Sequence, residues 1–460
     1  MINKKCIACC LAVVLFASVP GAAETFSLQK SIEYGLEHSP LLQGGDIRID
    51  QAGMDVKAQR GRFLPSISTG YSRSRIFSEY ASGTTVDDDY IDQQNAVASI
   101  RITQAIFAGF EYKNRFERAK LGSEYQKTQL ELQKLDLIYQ IKAAFFELLR
   151  TRYDVTSSTR MINRLESDLA AARAFSNQKI APYVYVLQAE ADLEEAKQSL
   201  WKTQTSIYRY SERLKRLLGL SPEPGIAADA DAIEFDDLFE APVPDLAGDL
   251  DLCMGQALSS RPEIRLLALQ TKMAEKDAAI AKGRYYPRVN LDAGLYDSDK
   301  RYDEAAIYRD DQQHNTYWSA GISVQMNLFD GGTAYYENRR YRLEISRFKT
   351  EKQQAEMEIK EQVGVALHSL AEARKRLASV EKALAASQES YMRQKKRFNA
   401  RIGTTSQVLD AQAKLARAES GKSQALLDCR LALAELSHAM GQFDFGADFG
   451  ADSPDGGPAK

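Results

Sequence analysis

The sequence predicts a mainly α-helical chain with a small membrane β part, built from one domain-sized unit written twice. Three observations carry this prediction: a constant offset between matching segments, sharply alternating apolar and polar runs, and long stretches with helical periodicity. The offset is the most direct. "GRFLPSISTGYS" at 61–72 and "GRYYPRVNLDAGLY" at 283–296 share an Arg-aromatic-x-Pro lead-in, and Pro65 and Pro287 lie 222 positions apart (287 − 65). The same offset carries Leu36 to Leu258, Pro40 to Pro262, Phe107 and Gly109 to Phe329 and Gly331, and Ile180 to Ile402. It also carries Val186-Leu187 to Val408-Leu409, Ala189 to Ala411 and Gly219 to Gly441. A single offset without net gap is a duplication, and its period is far too long for a solenoid repeat.

The ends place the chain outside the cytoplasm. Lys4 and Lys5 precede an apolar run from Cys6 to Val19, followed by small residues before Glu24, the pattern of a secretory signal peptide over 1–23. The run is too short for the roughly 20 apolar residues that cross a bilayer. Cys6, Cys9 and Cys10 sit before or inside it, which argues against lipidation. The first repeat is expected over 24–218 with a β-hairpin at 64–107, and the second over 250–440 with a β-hairpin at 286–329. Between them, 219–249 holds nine acidic residues, four prolines and no Lys or Arg, and reads as an irregular surface connection. Residues 441–460, ending "DSPDGGPAK", read as a disordered tail.

Composition excludes several classes. The full sequence carries a net charge of −3, and loss of Lys4 and Lys5 leaves −5, so nothing suggests nucleic acid as a partner. Cys253 and Cys429 are the two cysteines beyond the signal peptide; they have no zinc-type spacing, and one possible disulfide would not define a fold. His38, His314, His368 and His438 are scattered and suit neither a catalytic triad nor a metal site. Phosphate loops and nucleophile elbows are absent. No enzyme activity, cofactor or metal is expected. After the signal peptide no stretch is apolar enough for a transmembrane helix, so membrane residence would require strands.

Each repeat reads helix, strand, loop, strand, long helix, break, shorter helix. The opening helix is predicted over 27–61. The long helix over 110–175 would span roughly 99 Å, and the helices over 27–61 and 186–218 about half that each, so stacked end to end they match it. A seam recurs at spacings of three and four through Ile359, Val363, Ala366, Leu370, Ala373, Leu377, Val380 and Leu384. The first copy repeats it through Leu121, Tyr125, Leu132, Leu135, Tyr139, Phe146 and Leu149, with Thr128 and Lys142 filling two positions. The last helix carries small residues at Ala411, Ala418, Ala425, Cys429 and Ala432, where close approach is favoured, so Cys429 reads as packing. The unit is a long, narrow column.

The strands decide the setting. Val289, Leu291, Ala293 and Leu295 alternate with Arg288, Asn290, Asp292 and Gly294, and Trp318, Ala320, Ile322, Val324, Met326 and Leu328 alternate with polar residues. In the first copy Ala96, Ala98, Ile100 and Ile102 do the same. Such a period suits lipid on one face and water on the other. Trp318 is expected to begin its strand as an interfacial residue, and 77–94 and 297–316 are expected as long outer loops. Four strands cannot close a barrel, and a bilayer tolerates no open edge. The chain must oligomerise, and three copies would give twelve strands with an open pore.

With "SPLLQGG", "RPEIRLL", the Pro65 and Pro287 lead-ins, "IFAGF", "LFDGG" and "GTTSQVLDAQ" at 403–412 in order, the chain resembles the TolC-type outer-membrane efflux proteins. The resemblance covers about 25–440. It implies a homotrimer forming a 12-strand barrel in the Gram-negative outer membrane, continuous with a helical tunnel across the periplasm. It further implies a passive exit duct for an inner-membrane pump, ABC-type or proton-driven, joined through a periplasmic adaptor. The turns broken by Pro182 and Gly403 would form the inner tip, with Ile180, Ala181, Pro182, Ile402, Gly403 and Thr404 as adaptor contacts.

Asp410 matches the family's aspartate near the tunnel mouth and would form an acidic ring across three chains. The same residue also reads as a first-turn acid complementing the helix dipole after an N-cap Thr405 or Ser406. The family's second acid, one turn earlier, is replaced by Gln407 or has no counterpart. Lys179, Arg397 and Arg401 lie beside the turns and could pair with acids to hold the tip shut. The competing class is a non-conducting structural protein, either a periplasmic coiled-coil adaptor or a surface adhesin. The cargo (drug, metal or polypeptide) is not written in the sequence.

Overall fold

The computed structural model describes residues 27–80, 89–179, 182–220, 250–303, 312–400 and 402–443. The expected signal peptide over 1–23, most of the expected acidic connection and residues 444–460 of the expected tail lie outside them. The first copy folds as α1 (Leu28–His38), α2 (Pro40–Gly61), β1 (Ser66–Tyr80), β2 (Asp89–Ala108), α3 (Glu111–Asn177) and α4 (Val184–Leu218). The second follows with α5 (Leu250–Ser260), α6 (Pro262–Gly283), β3 (Arg288–Asp303), β4 (Gln312–Gln325), α7 (Thr333–Asn399) and α8 (Thr405–Ala439). Both ends of α1, α2 and α3 recur 222 positions later as α5, α6 and α7. The left-handed glycines recur too, Gly109 as Gly331 and Gly219 as Gly441. Phe110 holds the left-handed conformation (φ 62°) where the second copy has Gly332.

The opening helix expected over 27–61 is two helices. Ser39 is extended (ψ 123°) before Pro40, which opens α2, and Arg261 is extended (ψ 124°) before Pro262. The proline ring disfavours helical backbone in the preceding residue, so each proline ends one helix and starts the next.

The four strands form one antiparallel sheet in the order β1-β2-β3-β4. Register obeys the duplication: Ser66 faces Thr103, and 222 positions on, Arg288 faces Gln325. Ile67, Tyr71, Ile100, Ile102, Leu291, Leu295, Ile322 and Val324 share one exposed face, bordered by Trp318 at 77% exposure. On the other face the Thr103 and Ser323 hydroxyls donate to the Asp292 carboxylate at 3.0 and 3.1 Å. A broad open apolar face opposite a hydrogen-bonded polar one fits lipid outside and water inside.

The outer loops are shorter than expected. Strand pairing continues to Tyr80 and resumes at Asp89, and continues to Asp303 and resumes at Gln312. Cross-strand contacts hold these extensions: Tyr296 stacks on Tyr317 at 5.0 Å, and Thr316 donates to Asp297 at 2.8 Å. Trp318 therefore lies in mid-strand. It is still the last apolar residue on its face before Thr316 and His314, which is where a girdle residue belongs.

Below the sheet the helices stand side by side, α2–α3–α6–α7 near the sheet and α4–α3–α8–α7 further down. Two equivalent cores form. Ile32, Ile141, Phe145, Leu148 and Leu218 fill the first, and Val363, Leu370, Cys429 and Leu433 the second. A smaller one of Ile162, Leu169, Val186 and Leu193 joins α3 to α4 toward the tip. On the expected seams Ile359 through Ala373 are buried, and so are Thr128 and Lys142, while Leu377, Val380 and Leu384 are half-buried. Cys253 and Cys429 are free and buried, and burial pushes the Cys429 thiol up, away from reactivity.

Asp168 on α3 is half-buried, and its Oδ2 accepts no hydrogen bond among the described residues. Burial raises its pKa above the ordinary value of 3.8. The folded state then holds the proton more tightly than the unfolded chain, so stability falls as pH rises through that window. Asp168→Asn is expected to raise the melting temperature at pH 7 by the equivalent of about 1 kcal/mol. The gain should shrink as pH is lowered toward 4; a gain independent of pH would contradict the assignment.

Candidate functional site: the helical tip and the open edges

The two copies reverse direction differently at the tip. In the first, α3 ends at Asn177 and Lys179 takes the left-handed conformation (φ 56°), its N–H donating to the Ser176 carbonyl at 2.9 Å. Pro182 then precedes α4, where the Pro182 carbonyl accepts from the Tyr185 N–H at 3.2 Å. In the second, the Arg397 carbonyl accepts from the N–H groups of both Ile402 and Gly403, at 2.9 and 3.2 Å. Gly403 follows directly, and Thr404 then opens the next helix.

The cap of α8 also differs from expectation. Thr404, rather than Thr405 or Ser406, is the N-cap: its Oγ1 accepts from the Gln407 N–H at 3.4 Å, and the Gln407 Oε1 accepts from the Thr404 N–H at 3.3 Å. This capping box satisfies two orphan donors at once, whereas a cap one residue later has no Glu or Gln three positions on. Gln407, a gate candidate, is thereby engaged in holding the helix start. Asp410 moves into the second turn, beyond the reach of the dipole, and its side chain is exposed.

Lys179 and Arg397 are exposed, and among the described residues neither has a carboxylate within ion-pair distance. Arg397 lies in the last turn of α7, where a cation complements the helix dipole. Pro182, Ile402 and Thr404 are exposed and Gly403 partly so; Ile180, Ala181 and Arg401 lie outside the described residues. Sequence reading missed the apolar character of the tip. Tyr183, Val184, Tyr185 and Leu187 are all exposed beside Pro182, and Ile402 is 72% exposed. Their signal was visible as the "YVYVL" run directly after the proline.

Two further surfaces are open. Among the described residues β1 and β4 have no strand along their outer sides, and the same two borders continue downward as α2 with α4 and as α7. α7 carries Tyr336, Leu343 and Met357 on its open border at multiples of seven residues, with Leu343 60% and Met357 64% exposed. α4 answers with Leu187, Trp201 and Tyr208, and α2 with Ile47 and Met54, in each case exposed and again at multiples of seven. Such spacing is a coiled-coil stripe without its partner.

A sheet with one lipid-suited face, standing on a column of long helices, defines a membrane channel subunit with a tunnel extension. The chain belongs to the outer membrane efflux protein family, whose model matches residues 32–220 and 253–442, one match for each copy. The outer membrane efflux protein BepC of Brucella suis biovar 1 is 22% identical over 84% of this chain and 79% of its own. Among solved structures, the outer-membrane channel OprN superposes with a TM-score of 0.74 at 18% identity, covering 90% of this chain and 89% of its own. VceC from Vibrio cholerae does so with a TM-score of 0.72 at 17% identity over 91% and 97%. The protein is therefore an efflux channel component of the Gram-negative outer membrane, with its helices extending into the periplasm. The family match and the channel structures do not favour the adaptor and adhesin readings.

Proposed function

We propose that three copies close into a passive exit duct, docked at its inner tip by a periplasmic adaptor that couples it to an inner-membrane pump. One observation carries this reading: the junction between the two copies inside the chain is a template for a junction between chains. Within the chain, β2 pairs with β3 and α3 packs on α6. Displaced by 222 positions, the same junction sets β4 of one chain against β1 of the next, and α7 against α2. Those are the borders left open.

The template assigns contacts. Arg118 pairs with Asp277 at 2.6 Å, and the equivalent residues are Arg340 and Asp55 of the next copy. Ile102 faces Ala293 and Ile100 faces Leu295, which sets Val324 against Tyr71 and Ile322 against Arg73 of the next copy. Closure of twelve strands removes every sheet edge, as a bilayer requires. The exposed apolar residues around Pro182 and Ile402 supply a docking surface at the tip, with Gly403 and Thr404 beside them. Asp410, contributed by each chain, makes an acidic ring near the mouth, with Lys179 and Arg397 as nearby cations and Arg401, a neighbour in sequence, as a third candidate. Cargo class is set by the pump.

Planar-bilayer conductance tests the duct and its ring together. Purified protein is expected to run as a heat-resistant trimer and to conduct ions. A Val324→Cys, Tyr71→Cys pair should cross-link it covalently between chains. Asp410→Ala is expected to relieve most of the block by divalent cations while leaving open-channel conductance intact. Monomers without conductance would reject the duct, and an undiminished divalent block would reject the ring alone.

A further inference from the structure

Just below the sheet, α7 shows four distinct sides. Ala334 is buried toward α6, and the Asn338 side-chain amide donates to the Ala278 carbonyl at 2.9 Å. Tyr336 and Leu343 lie on the opposite, open border. Thr333, Glu337 and Arg340 occupy the positions that Glu111, Arg115 and Arg118 hold in α3. Glu111 pairs at 2.7 Å with Arg288, which shares the polar strand face with Asp292, so this third side looks into the interior. The fourth side, carrying Tyr335, Arg339 and Arg342, must look outward.

On that outward side Tyr335, Arg339 and Arg342 meet Lys282 and Tyr285 from the end of α6 around an open cleft of about 230 Å³, with Asn338 at its base. Its height is fixed by the chain: Tyr285 stands four residues before Val289, where the apolar strand face begins. Among the described residues none of the three cations has a carboxylate within ion-pair distance. Within one chain these cations are unneutralised, and together with two tyrosines at the inner border of a lipid-facing band they have the chemistry of a headgroup site.

We propose that this cleft binds the phosphate of a phospholipid headgroup in the periplasmic leaflet, with the acyl chains rising along the apolar strand face. Lys282, Arg339 and Arg342 supply charge and directed N–H donors, and Tyr285 and Tyr335 sit at the interface. The first copy lacks the site. There Glu117 stands at the position of Arg339 and pairs with Lys276, whose ammonium holds its carboxyl below the usual range. The stoichiometry is one lipid per chain, not two.

Native mass spectrometry of the detergent-purified protein titrated with phosphatidylglycerol tests this. One tightly held lipid per chain is expected. Lys282→Gln, Arg339→Gln and Arg342→Gln together should weaken it at least about tenfold. The Arg339→Lys, Arg342→Lys protein should keep most of the affinity, and a charge-matched control of Lys202→Gln, Lys349→Gln and Lys360→Gln should keep all of it. Equal retention by the triple variant overturns the proposal, and so does equal loss in the control. Binding of inorganic phosphate with comparable affinity would mean a plain anion site and would overturn the lipid assignment. Heat-resistant migration of each variant reports the assembled duct separately, so a failure of the headgroup site is distinguishable from a failure of the duct.

Discussion

Gly109→Ala is expected to destabilise the chain by about 3 kcal/mol or more, because an added methyl there meets backbone at a left-handed residue. Gly109 has φ 58°, which costs an L residue roughly 1–2 kcal/mol. An added Cβ would also stand 2.2 Å from the Gly283 carbonyl oxygen and 3.2 Å from the Tyr286 Cβ. That obstacle is backbone, so the turn between β2 and α3 would have to move away from the end of α6. Gly122→Ala is the internal control: nothing lies within 4 Å and the residue is inside α3, so it should stabilise by up to about 1 kcal/mol. Thermal unfolding followed by helical circular dichroism separates the two. Wild-type stability for Gly109→Ala would mean that the close approach is not a constraint. Gly331 and Gly61, the equivalent pair, both face open space within one chain, as they should if their meeting happens between chains.

The second large effect concerns assembly rather than folding. Leu343→Asp is expected to abolish the heat-resistant trimer and its conductance while leaving helical content near wild type. In a lone chain Leu343 is exposed, so the substitution removes little from the fold. In the trimer it would be buried against the next copy three times over. Each loss forfeits about 2 kcal/mol of apolar burial and adds an unpaired buried charge. The polar part of the same border has its own check: Arg340→Asp should weaken the trimer, and Asp55→Arg in the same chain should restore part of it, by analogy with Arg118 and Asp277. Trimers that survive Leu343→Asp would show that α7 meets its neighbour through another face.

Much of the fold was legible in the residues. The offset of 222 read from the residues recurs in the structure, where helix ends, left-handed glycines and strand registers all repeat at the same spacing. The alternation predicted which strand face is apolar. Local details were read less well where several residues compete for one task. Thr404, Thr405 and Ser406 can all cap a helix, and the choice fell to Thr404 because Gln407 stands three positions after it. Lys179, not a glycine, takes the left-handed position at the first turn. Nothing in its side chain announces that, since the conformation is imposed by where the chain must return.

Residue pattern alone determined the doubling, the helical and strand periods and the apolar faces, because periodicity is a local property of side-chain type. Tertiary structure decided which borders stay unpaired, where backbone approaches backbone at Gly109 and Gly283, and that three outward cations share a cleft below the strands. These depend on segments far apart in the chain coming within a few ångströms of one another, and only packing of the whole column brings them there.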